Sequence, residues 1–139
     1  IALYSKTARR DIIKTRDEIK ELEIGHKDKD LKFFRNKIIK SEKEHHKKHT
    51  SSLDFYSLSS FRDLLFHTNE HQFTISQINK CLFELGLKFC GFDNKKAVQA
   101  FKLMHKGFDD EYDLNKWDEF ENLNKDVFLG MYQFWCQKI

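Results

Sequence analysis

The pattern of apolar and polar residues predicts three short strands separated by helices. The strands are residues 1 to 5, 87 to 92 and 131 to 136, where apolar side chains follow one another in short runs. Elsewhere apolar residues recur every three or four positions, which is the spacing of one face of a helix. We therefore expect an α/β fold with about three strands, helical material between them and no internal repeat.

Two helices are predicted before residue 50. The first runs from Thr7 to Gly25, and its apolar stripe is expected to consist of Ala8, Ile12, Arg16, Ile19 and Leu22. The second starts near Asp28 or Asp30. Its buried face is expected to contain Leu31, Phe34 and Ile38, with Phe33 and Ile39 as further candidates. Residues 41 to 49 continue it without an apolar face, so we expect a solvated helix end there.

Capping motifs mark the helices that follow. Ser60 with Asp63 is a candidate capping box before a short helix that ends near residue 66, and Thr74 with Gln77 is a second. Apolar residues follow Thr74 at helical spacing until Gly86, which favours a helix end. Two more helices are predicted, over residues 94 to 106 and after a cap at Asp113.

Composition restricts the class of protein. The chain has 139 residues, the size of one domain, with 40% hydrophobic and 34% charged residues. No apolar run reaches the roughly 18 residues of a membrane-spanning helix. Glycine is scarce at 5, proline is absent, and no GxGxxG or GxxxxGK[ST] string is present. These features argue against a phosphate-binding loop within this chain.

Charge and cysteine content add little to the expected class of protein. The net charge of +3 divides into a basic first third, residues 1 to 50, and a mildly acidic remainder. Basic and acidic residues alternate along the predicted helices, which favours a solvated surface over a nucleic-acid surface. Three unpaired cysteines, Cys81, Cys90 and Cys136, are expected to be buried thiols in a reducing cytoplasm.

Six segments together resemble one enzyme family. They are residues 2 to 10 (ALYSKTARR), 55 to 67 (FYSLSSFRDLLFH), 70 to 74 (EHQFT), 87 to 92 (LKFCGF), 113 to 121 (DLNKWDEFE) and 130 to 135 (GMYQFW). In this order they resemble the C-terminal part of bacterial class I S-adenosylmethionine-dependent methyltransferases, the group often fused to tetratricopeptide repeats. The family's usual prolines are replaced here, for example in the Thr74 to Gln77 segment.

The resemblance implies a fold and a division of the chain. It implies the C-terminal portion of a seven-stranded, doubly wound, Rossmann-like sheet. Residues 1 to 5 would be the fifth strand, 87 to 92 the sixth, and 131 to 136 an antiparallel seventh inserted between them. Residues 6 to 73 would be a helical cap or insertion, and 74 to 139 the final helix–strand–helix–helix–strand segment.

The same resemblance implies a cofactor and partners. S-adenosylmethionine would bind the full-length parent, and none is expected on this chain, because the glycine-rich loop and ribose-binding acid belong to a missing N-terminal half. The chain alone is expected to be inactive and cytoplasmic, with a methyl acceptor of unidentified chemistry. A strand at Ile1 would leave an open sheet edge, so a dimer through that edge is a secondary expectation.

Candidate site residues come from two places in the chain. Tyr4 and Ser5 stand at the carboxyl end of a strand, where open α/β sheets bind ligands, and are candidate substrate-binding residues. His67, Glu70 and His71 lie in a loop between two predicted helices and are candidate catalytic residues that orient substrate or act as a base. Arg62 could bind a carboxylate or phosphate of the acceptor, or form an ion pair with Asp63 or Glu70.

Structural roles and a different class of function are alternatives to these interpretations. The polar residues just named could cap helices or pack at a strand end. Three histidines, His45, His46 and His49, with Glu42 and Glu44, could hold a divalent ion by proximity, but the intervening lysines make the sequence predict no metal site. Trp117, Phe120, Phe134 and Trp135 have the spacing of core residues. A different class of function is a helical interaction module that binds an acidic protein or nucleic acid through residues 6 to 49.

Overall fold

The computed structural model describes residues 1–139, and they divide into two compact units. A sheet unit combines Ile1–Arg9 with His71–Ile139, and a helical unit contains Arg10–Glu70. The helical unit lies within residues 6 to 73, the range of the predicted insertion. No helix in the chain is both long enough and apolar enough to cross a bilayer.

The sheet unit contains four strands and three of the seven α-helices. In chain order its elements are β1 (Ala2–Ser5), β2 (Gln72–Phe73), α5 (Ile75–Glu84), β3 (Leu87–Phe92), α6 (Lys95–Met104), α7 (Leu114–Leu123) and β4 (Met131–Lys138). The three predicted strands are confirmed. Strand β2 was missed, because two residues are too few to show a strand pattern.

The sheet has the order β2-β1-β4-β3. Strand β4 runs antiparallel to both of its neighbours, whereas the short β2 runs parallel to β1. The last predicted strand therefore does lie antiparallel between the other two. The expectation that residues 1 to 5 form an edge strand holds only in part: Ala2 and Leu3 pair with β4 alone, whereas Tyr4 also pairs with Gln72 and Ser5 with Phe73.

Aromatic packing holds the sheet unit together. The ring of Trp117 on α7 stacks on Phe101 of α6 with centroids 3.9 Å apart, and Phe92 of β3 contacts Trp117 edge-on at 4.8 Å. All three side chains are buried, as is Phe134 of β4. Trp135 is instead 66% exposed, because successive strand residues point to opposite faces of the sheet.

Local signals fixed the helix ends in this unit. Thr74 and Gln77 form the predicted reciprocal capping box, and Gly86 takes the left-handed conformation (φ 63°) just after α5. Asn94 and Asp113 cap α6 and α7 through their side chains. The expectation of buried thiols is wrong for Cys81 and Cys90, which are exposed, and Cys136 is half-buried.

The helical unit contains the other four α-helices. They are α1 (Arg10–Glu21), α2 (Asp28–Ile39), α3 (Glu44–Thr50) and α4 (Leu58–Phe66). Their buried apolar residues form one cluster, which consists of Ile19, Leu31, Phe34, Ile38, Phe55, Phe61, Leu65 and Phe66. Phe33 and Ile39 were candidates for this core but are exposed, so α2 buries a narrow stripe.

Two helix boundaries differ from the sequence prediction. Helix α1 ends before Gly25, because Glu23 adopts the left-handed conformation (φ 51°) and the amide of Ile24 donates to the carbonyl of Ile19. Leu22 is consequently exposed. Helix α4 is capped by Ser57, whose side chain accepts from the amide of Ser60, so the capping residue is three positions earlier than predicted.

The prediction of a solvated helix end at residues 41 to 49 is wrong. The chain leaves the helical conformation at residues 41 to 43, and the new helix α3 begins at Glu44. Its histidines His45, His46 and His49 are buried, with relative exposures of 5%, 1% and 4%. Imidazole rings, rather than aliphatic side chains, form the buried face of this helix.

Candidate functional site

A buried polar network lies at the carboxyl end of β1, within the sheet unit. The hydroxyl of Ser5 donates to Oε1 of Glu121 at 2.7 Å, and it accepts a hydrogen bond from the amide of Ala8. The hydroxyl of Tyr132 lies 2.9 Å from Oε1 and 2.8 Å from Oε2 of the same carboxylate. Ser5, Glu121 and Tyr132 are all buried, so this network joins β1, α7 and β4.

Burial changes the proton affinity of this network. Removal from water raises the pKa of Glu121, although hydrogen bonds from Ser5 and Tyr132 oppose that effect. Burial also raises the pKa of Tyr132, and the nearby Glu121 carboxylate adds to the increase. The phenol therefore stays protonated and serves as a permanent hydrogen-bond donor to Glu121.

Sequence reasoning did not single out Glu121 as a network residue. Its position was nevertheless informative, because Glu121 follows Leu114 by seven residues and Trp117 by four, on the apolar face of α7. A carboxylate on a buried helix face requires hydrogen-bond donors. Ser5 was predicted from its place on the strand, but its hydroxyl is engaged by Glu121 and Ala8.

Tyr4 precedes Ser5 and is only partly buried. The guanidinium carbon of Arg9 lies 4.2 Å from the centre of the Tyr4 ring, which is the distance of a cation–π contact. Both residues belong to the sheet unit. Tyr4 thus presents an aromatic face next to a cation at the carboxyl end of β1, and its substrate-binding role stays a prediction.

The candidate catalytic residues differ in their environments. Glu70 belongs to the helical unit, and its carboxylate lies 3.0 Å from the guanidinium of Arg16, with only 4% of the Glu70 side chain and 11% of the Arg16 side chain exposed. Arg16 also donates to the carbonyl of Leu64 at 2.6 Å. His67 and His71 are exposed. Arg16 thus fixes Glu70, whereas both imidazoles face solvent.

Arg62 also forms an ion pair, but with an unexpected partner. Its guanidinium lies 2.6 Å from Oδ1 of Asp28 on α2, rather than next to Asp63 or Glu70. Both side chains of this pair are more than half exposed, so the pair contributes little to stability. Arg62 could exchange Asp28 for an anionic ligand at small cost.

The buried histidines of α3 contact acidic and polar groups of α1. Nε2 of His45 lies 2.6 Å from Oε1 of Glu18, and Nε2 of His46 lies 3.0 Å from Oε2 of the same carboxylate. Nε2 of His49 lies 2.8 Å from the hydroxyl of Thr15. The carboxylate that faces the histidines is therefore Glu18, not Glu42 or Glu44 as the sequence suggested.

Electrostatics keep two of these imidazoles neutral. Burial lowers the pKa of His46, although the Glu18 carboxylate partly offsets that effect. Burial also lowers the pKa of His49 to about 4, and repulsion from His46 adds to the decrease. For Glu18, burial alone would raise the pKa, but hydrogen bonds from Lys43 and His45 outweigh burial and lower it.

Ion pairs neutralise several cations of the basic segment. Lys43 pairs with Glu18, Lys47 with Glu42 and Lys48 with Asp11, at 3.0, 2.6 and 2.8 Å. The lysine side chains of these pairs are 44% to 57% exposed, so the pairs cost little to exchange for an acidic partner or a nucleic acid. The interaction-module hypothesis for residues 6 to 49 therefore stays a prediction.

The sheet unit also contains an open cleft. Its volume is about 510 Å³, and Asn79, Lys88 and Asp110 are among its lining residues. None of the predicted site residues lines it. The cleft is thus separate from the carboxyl end of β1.

No protein-family model matches the chain, and no curated protein matches it.

Proposed function

We propose that this chain is the C-terminal, substrate-side segment of an S-adenosylmethionine-dependent methyltransferase of the class I, Rossmann-like type. The observation that carries the proposal is the position of β4, antiparallel between β1 and β3. The resemblance predicted this arrangement for the fifth, seventh and sixth strands. Antiparallel insertion at one side of an otherwise parallel sheet is a specific feature, so its agreement supports the proposal.

The free side of β1 is compatible with a further strand. Strand β2 pairs only with Tyr4 and Ser5, the last two residues of β1, whereas Ala2 and Leu3 pair only with β4. A cofactor-binding half would place its neighbouring strand along Ala2 and Leu3. The S-adenosylmethionine would then lie at the carboxyl ends of the parallel strands, the edge of the sheet that Tyr4 and Ser5 share.

The chain would contribute residues that hold and orient the methyl acceptor. In the sheet unit, Tyr4 offers an aromatic face for binding and His71 an exposed imidazole for proton transfer. In the helical unit, Arg62 offers an exchangeable guanidinium and His67 an exposed imidazole. Glu70 would act within the helical unit, where its buried pair with Arg16 would fix the end of the loop that carries His67. Methyl transfer depends mainly on alignment of the acceptor with the sulfonium methyl group, so such residues suffice on this side of the site.

Cofactor binding tests whether the S-adenosylmethionine site lies outside this chain. Isothermal titration of the chain with S-adenosylmethionine should give no binding heat, whereas the same reading frame extended towards its N-terminus should bind the cofactor. Tight binding by the chain alone would contradict the proposal. Failure of the extended protein to bind would contradict it as well.

The extended protein also allows the catalytic residues to be tested. His71→Gln should lower kcat for methyl transfer to acceptors in a cell extract by about 100-fold if the imidazole is the base. Lys80→Gln, an exposed change on α5, is the matched control and should leave kcat unchanged. Retardation of labelled nucleic acid with a steep salt dependence would instead support the interaction-module hypothesis.

A further inference from the structure

Three potential metal ligands converge within the helical unit. They are Glu18 of α1 and the adjacent His45 and His46 of α3, here called the Glu18 cluster. One donor atom from each residue lies within 4.8 Å of the donor atoms of the other two. The rings of His45 and His46 lie 4.4 Å apart and are tilted by 59°, so both can direct a nitrogen towards the carboxylate.

His46 supplies an independent indication of a missing ligand. Its side chain is only 2% exposed, yet neither ring nitrogen makes a hydrogen bond. Nε2 lies 3.0 Å from Oε2 of Glu18, but the two atoms are not in a hydrogen-bonding geometry. Buried polar atoms are almost always satisfied, so an unpaired imidazole directed at a carboxylate needs an explanation.

A metal ion would satisfy both Nε2 of His46 and the carboxylate of Glu18. Two imidazole nitrogens and one carboxylate oxygen are a common set of protein ligands for Zn²⁺, which then keeps a fourth position for water or another ligand. Bonds of 2.0 to 2.2 Å in tetrahedral geometry place ligand atoms about 3.3 Å apart. The nitrogen–oxygen distances of 2.6 and 3.0 Å would need to widen by about 0.7 and 0.3 Å, respectively.

We propose that Glu18, His45 and His46 bind a divalent transition-metal ion, and that Zn²⁺ fits the site best. Imidazole ligands disfavour Mg²⁺ and Ca²⁺, which prefer sites made wholly of oxygen atoms. The proposal does not depend on the methyltransferase hypothesis, because the three ligands belong to the helical unit and none was predicted to act in methyl transfer.

The ammonium of Lys43 would compete with a metal ion for the carboxylate of Glu18. Its ammonium lies 3.0 Å from Oε1 of Glu18, and 57% of its side chain is exposed. An incoming metal ion would displace the ammonium into solvent, where the long side chain can follow. Removal of this charge should therefore strengthen metal binding.

Titration of the full chain with ZnCl₂ tests the proposal. Protein stripped with EDTA and then freed of chelator should bind one equivalent, with a Kd in the micromolar range or tighter. Glu18→Gln and His46→Gln should each weaken binding by at least tenfold. His26→Gln, which changes an exposed histidine of the same unit, is the matched control and should leave the Kd unchanged.

Two further measurements identify the ligands. Lys43→Gln retains all three ligands and should bind Zn²⁺ several-fold more tightly, because it removes a positive charge next to the metal. Bound Co²⁺ should give the visible absorption of a tetrahedral site in the wild type but not in His46→Gln. Circular dichroism of each variant establishes that it remains folded.

Several outcomes would overturn the proposal. One is the absence of saturable Zn²⁺ binding by the wild type. Another is binding that Glu18→Gln and His46→Gln leave intact, which would point to the exposed Cys81 and Cys90. If Glu18→Gln fails to fold, an unchanged Kd in Lys43→Gln would still count against a site at Glu18.

Discussion

Buried His49 should make the stability of the helical unit depend on pH. Its pKa falls from an ordinary 6.5 to about 4, because burial disfavours the charged ring and His46 and His45 add repulsion, while Asp11 opposes them. Between these two pH values the unfolded chain binds more protons than the folded chain. Stability should therefore fall as the pH is lowered from about 6.5 to about 4.

The size of the pKa shift of His49 sets the size of this effect. A decrease of about 2.5 units corresponds to about 3 kcal/mol between the two ends of the window, at 1.36 kcal/mol for each unit. About 2 kcal/mol of that difference should already be lost at pH 5. Such a loss is a large part of the stability of a small domain.

The structure also suggests a neutral replacement for His49. The hydroxyl hydrogen of Thr15 is donated to the carbonyl of Asp11 at 2.9 Å, so Nε2 of His49 must be the donor in its 2.8 Å contact with Thr15. A glutamine amide can also donate a hydrogen bond to this hydroxyl, but it does not titrate. His49→Gln should therefore remove this part of the pH dependence.

Urea unfolding of both proteins at about pH 7 and pH 5, with EDTA present, measures the effect. Far-ultraviolet circular dichroism follows the helices. The wild type should lose about 2 kcal/mol more than His49→Gln between the two pH values. His26→Gln should behave like the wild type, because His26 is exposed. An equal loss in the wild type and His49→Gln would refute a buried neutral His49.

Two further predictions concern a helix end and the buried carboxylate. Glu23→Gly should stabilise the chain by about 0.5 to 1 kcal/mol in urea unfolding, because glycine takes the left-handed conformation without steric cost. Asp17→Gly, an exposed change in the middle of α1, should destabilise it by a similar amount, and a destabilising Glu23→Gly would contradict the argument. The raised pKa of Glu121 means that the folded chain holds its proton more tightly, so the stability of the sheet unit should fall as the pH rises above about 4.5. Glu121→Gln should weaken that dependence, as measured by the fluorescence of Trp117 during urea unfolding; an identical pH profile would show that Glu121 is not the titrating group.

Local signals in the sequence account for much of the secondary structure. Thr74 and Gly86 have side-chain and backbone properties that mark the two ends of α5, so short stretches of sequence predict them. The end of α1 was not predicted correctly, because Glu23, a residue with a Cβ, takes the left-handed conformation that was expected of Gly25. Strand β2 has no local signal, since it exists only through its pairing with β1.

The polar clusters depend on contacts between distant residues. Ser5 and Glu121 are 116 positions apart, and no pattern around either residue identifies the other. The lysines around the histidines of α3 predict a solvated segment, and only the packing of α3 against α1 shows that these histidines are buried. Histidine is compatible with either environment, so its burial could not be predicted without the tertiary fold.

The pairing of β1 with β4 has a consequence for the order in which the chain folds during synthesis. The helical unit uses one continuous segment, Arg10–Glu70, so all its contacts can form as soon as that segment has left the ribosome. Strand β1 precedes that segment in the chain, but its β4 partners Met131, Tyr132 and Gln133 follow it. The pairing of β1 with β4 therefore cannot form until after the helical unit has been made, and in this interval the side of β1 that β4 later covers is open to aggregation and to chaperones.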